Sequence, residues 1–216
     1  MKILALEFSA NERSVAVAEK LEDSSITLLS SVRESDYRGV TGLSIIDRAL
    51  RAANVEAAHV RRIAVGLGPG SYTGVRSAIA LAQGWQLGRN VELIGVSSVV
   101  SLAEQARSLG LFGSISIVID AQRGELYLAR YEVDEASSTE LEPLRIVSPS
   151  EVLASDVIVG PEATKYFPSA RDLAPSAETL ARLAAEATLL TPGELLEPIY
   201  LRQASFVKAP VPRHIA

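Results

Sequence analysis

A strand ending in a carboxylate, a short turn and a second strand occur twice in this chain. The first copy is "KILALEFSANERSVAVAE" (2–19), the second "SISIVIDAQRGELYLARYEV" (114–133). Each first strand closes on an acid, Glu7 or Asp120. Alternating apolar residues bounded by polar turns read as hairpins. Their recurrence more than 100 residues apart implies that one supersecondary plan is used twice.

The stretches between extend the repeat. "ITLLSSV" (26–32) reads as a third strand, and "GLSIIDRALRAANV" (42–55) carries apolar residues at helical spacing. "IAVGLG" (63–68) reads as a strand, 72–88 as a long helix, and "VELIGVSS" (91–98) as a strand whose serines can cap "VVSLAEQARSLG". In the second copy "LEPLRIV" (141–147), "SDVIVGP" (155–161) and "SAETLARLAAEAT" (176–188) supply two strands and a helix. The chain is therefore α/β, with two duplicated β-β-β-α-β-α halves and mixed sheets. The expected division is 1–100 and 101–216, and the tail, with three prolines after residue 197, should lie extended across the body.

Composition narrows the classes. Nearly half of the 216 residues are apolar, enough to fill a core. There is no cysteine, so disulfides and thiolate metal sites are excluded. His59 and His214 form no HxxxH or HExxH pair, and no GxSxG elbow occurs, so peptidase chemistry has no residues to use. No apolar run approaches the ~18 residues of a membrane span, and the N-terminus reads as a strand and not as a signal peptide. A cytoplasmic protein is expected. The net charge is −5, with small basic concentrations at Arg61-Arg62 and at Lys208 and Arg213, which gives no basic stripe for gripping nucleic acid alone.

"GLGPGSYTGVRSAIALAQG" (66–84) has the outline of a phosphate loop opening a helix, but neither GxxxxGK[ST] nor GxGxxG fits its spacing, and no Lys follows. Two readings stay open. The helix start, capped by Ser71 or Thr73, could hold an anion, or the glycines serve a sharp turn and close packing. Arg76, in the first turn, opposes the helix dipole, so a carboxylate or a bound anion should pair with it. Glu7 and Asp120 could flank Mg²⁺ across a cleft, as strand-end carboxylates do in actin-like sugar kinases, or could bond to local backbone. The small residues Ser77, Ala78, Ala80, Ala82 and Gly84 fit either an interface or burial against the sheet.

Four stretches taken together, "GLGPGSYTGVRSAIALAQG", "LIGVSSVVSLAEQA", "IDAQRGELYLARYE" and "EPIYLRQ", resemble the bacterial TsaB family in order and spacing. The resemblance implies the actin-like ATPase fold, built from two RNase H-like halves. It also implies a subunit without catalytic centre, metal or cofactor, which pairs with the TsaD transferase that places threonylcarbamoyl on adenosine beside the anticodon of ANN-reading tRNAs. A TsaE-type ATPase would join them, tRNA would be met through the complex, and the chain alone could form a homodimer. Helices 40–53 and 72–88 would form the interface, through Leu43, Ile46, Leu50, Val75, Ala78, Ile79 and Ala82. Relatives once carried a glycoprotease or M22 label. Glu7, Ser71, Thr73, Arg76, Asp120 and Gly124 would be a vestigial anion or nucleotide site. The first strand ends in Glu7 where relatives usually have Asp, and "SDYRGVTGLS" lacks the usual His. The competing reading is an autonomous Mg-nucleotide-dependent phosphotransferase or ATPase of the same fold.

Overall fold

The computed structural model describes residues 1–35 and 41–202. The first half contains β1 (Lys2–Glu7), β2 (Arg13–Lys20), β3 (Ile26–Glu34), α1 (Gly42–Ala52), β4 (Val60–Gly66), α2 (Tyr72–Gly88), β5 (Glu92–Val96) and α3 (Ser98–Ser108). The second contains β6 (Gly113–Asp120), β7 (Leu126–Val133), β8 (Ser138–Val147), β9 (Val157–Gly160), β10 (Arg171–Asp172) and α4 (Ala177–Glu186). The strands form two sheets of one plan, β3-β2-β1-β4-β5 and β8-β7-β6-β9-β10. In each, the first strand pairs antiparallel with the second and parallel with the fourth. The duplication in the sequence is thus a duplication of topology.

The second half is the sparser copy. Single 3₁₀ turns, Pro149–Glu151 and Ala163–Lys165, stand where the first half has α1 and α2. The stretch 148–156 is too short to carry a packed helix back to β9; the Ser148–Glu151 capping box opens the turn, which ends at Val152 in extended backbone. The two-residue β10 carries no strand signal in the sequence.

The register sorts the first core by size. Leu4 lies between Val17 and Ile63, and Leu6 between Val15 and Val65, all in the core under α1 and α2. One residue over, on the opposite face, Ala16, Ala5, Ala64 and Ile94 form a row beneath α4. The alanines of that row meet Ala177, Ala181, Ala184 and Ala185 of α4. A strand's side chains alternate faces, so the alternation of large and small residues lets one helix lie closer than the other two.

The last helix of each half crosses over. α4 follows β10 but packs on the first sheet, whereas α3 follows β5 and contributes Val99, Leu102, Ala103 and Ala106 to the core of the second. Residue 100 therefore falls inside α3. Both ends of α4 are held by the first sheet. Ser14 Oγ accepts from Ala177 N–H (3.0 Å), Lys20 Nζ donates to Ala185 O (2.7 Å), and the buried Arg62 donates to Ala184 O and Ala187 O. Cations at a helix C-terminus satisfy its free carbonyls and its dipole together. Among the described residues, no helix is long and apolar enough to cross a membrane. The start of the expected helix 40–53 and the tail from 203 on, with Lys208, Arg213 and His214, lie outside the described residues.

Candidate functional site

The two strand-end carboxylates have different fates. Glu7 shares the parity of Ile3 and Ala5, so it points to the α4 side of the sheet and is fully buried. Its Oε1 accepts the Ser9 N–H (2.8 Å), while Oε2 has no hydrogen-bond partner. Burial pushes its pKa up, against the pull of the Ser9 hydroxyl and N–H and the Ser98 hydroxyl. Asp120 opens into the cleft between the halves, where it accepts from Gln122 N–H (2.7 Å) and Nε2 (3.2 Å). Glu7 does not line that cleft, so the two carboxylates do not face each other across it as a Mg²⁺ clamp requires.

The glycine turn is bonded to its own chain. Ser71 is the helix cap: its Oγ accepts from Gly74 N–H (3.2 Å), and its own N–H donates to Ser9 O (2.6 Å). Gly74 passes so near the β1–β2 turn that a Cβ would stand 1.9 Å from Phe8 O. Gly68 O accepts the N–H of Ser98, which opens α3, and Ser9 Oγ lies 2.9 Å from Ser98 Oγ. Hence the turn works as a joint between the first sheet and the helix that crosses to the second.

Thr73 is exposed on α2. A carboxylate or a bound anion was expected at Arg76; no carboxylate among the described residues pairs with it, and its guanidinium carbon is 3.5 Å from the Tyr72 ring centre and 4.9 Å from that of Tyr200. Gly124 lies in the β6–β7 turn at φ 77°, after Gln122 and Arg123, which also have positive φ.

A cleft of about 710 Å³ separates the halves, bounded by the Gly68–Tyr72 turn on one side and by Asp120–Arg123 on the other. A strap along its margin carried no assigned role in the sequence. Thr191 N–H donates to Leu93 O (2.8 Å), Leu196 enters the first core, and Ile199 N–H donates to Leu67 O (2.9 Å). Tyr200 then reaches Arg76, and Arg202 donates to Ala121 O (3.1 Å) and pairs with Glu125 of the second half. "EPIYLRQ" with its early proline was the only signal for it.

Of the expected interface residues, Leu43 is exposed, whereas Ile46, Leu50, Val75, Ala78, Ile79 and Ala82 are buried in the chain's own core. This corrects the sequence expectation: the apolar stripes of α1 and α2 are spent against the first sheet. The outward faces carry Leu43 on α1, and Ala80, Gly84 and Leu87 on α2.

Two sheets of one topology, clasped by crossed helices around a cleft, define a protein of the actin-like ATPase fold. Here the turn at the cleft is knitted into the chain itself. A family model described as TsaD, tRNA N6-adenosine threonylcarbamoyltransferase, matches residues 40–204. The chain belongs to that family, among its TsaB members. It is 37% identical over 93 residues to the tRNA threonylcarbamoyladenosine biosynthesis protein TsaB of Escherichia coli, covering 43% of this chain and 40% of that one. The TsaB of Haemophilus influenzae is 30% identical over 130 residues, 60% of this chain and 53% of its own length. The chain spans about half the length of the curated relatives it matches. A solved structure described as YeaZ from Pseudomonas aeruginosa superposes with a TM-score of 0.77 at 26% identity, covering 93% of this chain and 99% of that one.

Proposed function

We propose that this chain acts in tRNA threonylcarbamoyladenosine biosynthesis as a subunit without a catalytic centre of its own, paired with a TsaD-type transferase. Its likeness to relatives named for that pathway carries the reading. The internal bonding of the glycine turn supports the non-catalytic part. The Ser71 and Gly74 amides, which would otherwise be free for a phosphate, are committed to Ser9 O and Ser71 Oγ. The carboxyl of Glu7 is sealed within the sheet.

The pairing surface in this reading is the outward face of α1 and α2, with Leu43, Ala80 and Leu87. A TsaE-type ATPase joins the pair, and a second copy of the chain takes the same face when the transferase is absent. The chain is read as two RNase H-like subdomains meeting near residue 100, working in the cytoplasm. Co-expression with a TsaD-type partner, followed by measurement of threonylcarbamoyladenosine in tRNA, tests the proposal. A complex that co-purifies and restores the modification is expected. Full modification by the partner without this chain would overturn it.

A further inference from the structure

At the mouth of the cleft, side chains distant in sequence form one cluster. Tyr72 opens α2, Arg76 follows one turn later, and Tyr200 arrives on the strap. The two rings stand 6.1 Å apart, tilted by 35°, with the Arg76 guanidinium over both. Tyr72 is 64% exposed and Tyr200 48%, so the cluster remains open to solvent. On the opposite lip, Gln122 and Arg123 hold φ of 64° and 61°, in the left-handed region that non-glycine residues adopt only at a cost. Among the described residues, neither Arg76 nor Arg123 has a carboxylate partner. The neighbouring Arg202 is paired with Glu125, and Lys165 with Glu162.

Exposed tyrosines backed by the Arg76 guanidinium, with Arg123 free of a carboxylate partner on the opposite lip, suit a flat ring carrying a phosphate. A free nucleoside polyphosphate needs more: an amide cradle and a metal carboxylate. Here the Ser71 and Gly74 amides are engaged and Glu7 is sealed away. Stacking rings with guanidinium planes are instead the means by which proteins hold unpaired nucleotides of RNA. We infer that this mouth of the cleft holds an unpaired nucleotide of tRNA, its base on Tyr72 and Tyr200 and its backbone phosphate at Arg76 and Arg123. The inference rests on the proposed role in tRNA modification and names the surface by which the chain touches its substrate. With a net charge of −5, the chain supplies this local contact and leaves the bulk of the phosphate grip to its partner.

The test uses the full chain, alone and with its TsaD-type partner, and an unmodified tRNA transcript as the probe. Ultraviolet cross-linking with peptide mapping should join the tRNA to the segments containing Tyr72 or Tyr200. Tyr72→Ala and Tyr200→Ala should each weaken tRNA binding about tenfold, the usual scale for a lost stacking partner, and Tyr200→Phe should retain it. Arg76→Gln should weaken binding and lower the salt slope by about one. Thermal melting of each variant guards against a loosened strap, and Tyr72→Ala, at an exposed ring, decides if Tyr200→Ala unfolds. The inference is overturned if no cross-link reaches either segment, if a folded Tyr72→Ala binds tRNA like the parent, or if AMP occupies the site while tRNA does not. A chain that pairs with the transferase and supports modification, yet fails these tests, loses this inference and keeps the proposed function. Cross-linking at the tyrosines without any partner complex does the reverse.

Discussion

Glu7 and Gly66 stand side by side on β1 and β4, one step past the Leu6–Val65 pair, and the carboxyl of the first fills the space left by the missing side chain of the second. A Cβ on Gly66 would lie 2.3 Å from Oε2 and 2.6 Å from the carboxyl carbon. The first glycine of the loop is therefore demanded by a buried acid, and not by a phosphate. Gly66→Ala should destabilise the fold by roughly 1–3 kcal/mol, the range for overpacking a filled core. Denaturant unfolding of Gly66→Ala, Glu7→Ser and the double variant would show the coupling. The double variant should be less destabilised than the sum of its parents, and strict additivity would contradict the contact.

The same carboxyl makes stability depend on pH in a definite direction. Burial raises the Glu7 pKa in the folded chain above its ordinary value of 4.5. Below about that pH, Glu7 is protonated in both folded and unfolded chains and costs nothing. As pH rises past it, the unfolded chain ionises freely while the folded chain resists, so stability is lost up to the raised folded pKa. Glu7→Gln keeps the shape and the acceptor for Ser9 N–H but cannot ionise. It should melt above the parent at neutral pH, and the gap should close as pH falls toward 4.5. A pH-independent gap would argue that Glu7 is not the titrating group.

The strand pattern made this fold readable from the sequence. β1, β2, β6 and β7 are short apolar runs, buried along most of their length, and each hairpin turn is mostly polar, so order and pairing followed from run length and punctuation. The direction of Glu7 was also legible, since it shares the parity of Ile3 and Ala5, but the analogy to strand-end metal ligands masked it. The inward placement of Ala78 and Ala82 was not legible. α2 carries small residues all around, so its composition does not tell the buried face from the open one. The Tyr72–Arg76–Tyr200 cluster joins residues more than 120 positions apart, and no local pattern announces such a meeting.

Arg62 ties the crossed helix to the first sheet, which makes it a test of how the halves are joined. It is 9% exposed, pairs with Glu92, and donates to two carbonyls at the end of α4. Arg62→Met keeps much of the aliphatic packing but orphans Ala184 O and Ala187 O. A loss of about 2 kcal/mol is expected, the scale of hydrogen bonds to a charged group. Hydrogen exchange should show α4 amides opening before those of β1. The exposed Arg51–Asp47 pair on α1 is the control: Arg51→Ala should change stability by no more than about 0.5 kcal/mol.

The burial pattern of α1 and α2 separates folding from pairing. Ile46 is 3% exposed and packs in the core beneath the two helices. Ile46→Glu would place an unpaired carboxylate there, at a cost on the order of 4 kcal/mol or more, so the chain should fail to fold and its loss of partner binding would say nothing about an interface. Leu87 is 91% exposed near the end of α2, and a charge there should change stability by only about 0.5 kcal/mol. If the outward face of α2 meets the transferase, Leu87→Glu melts like the parent yet no longer co-purifies with the partner, because association would bury an unpaired charge. Ala80→Glu, on the same face, should behave alike. Normal melting with undiminished co-purification in both variants would move the pairing surface off α2.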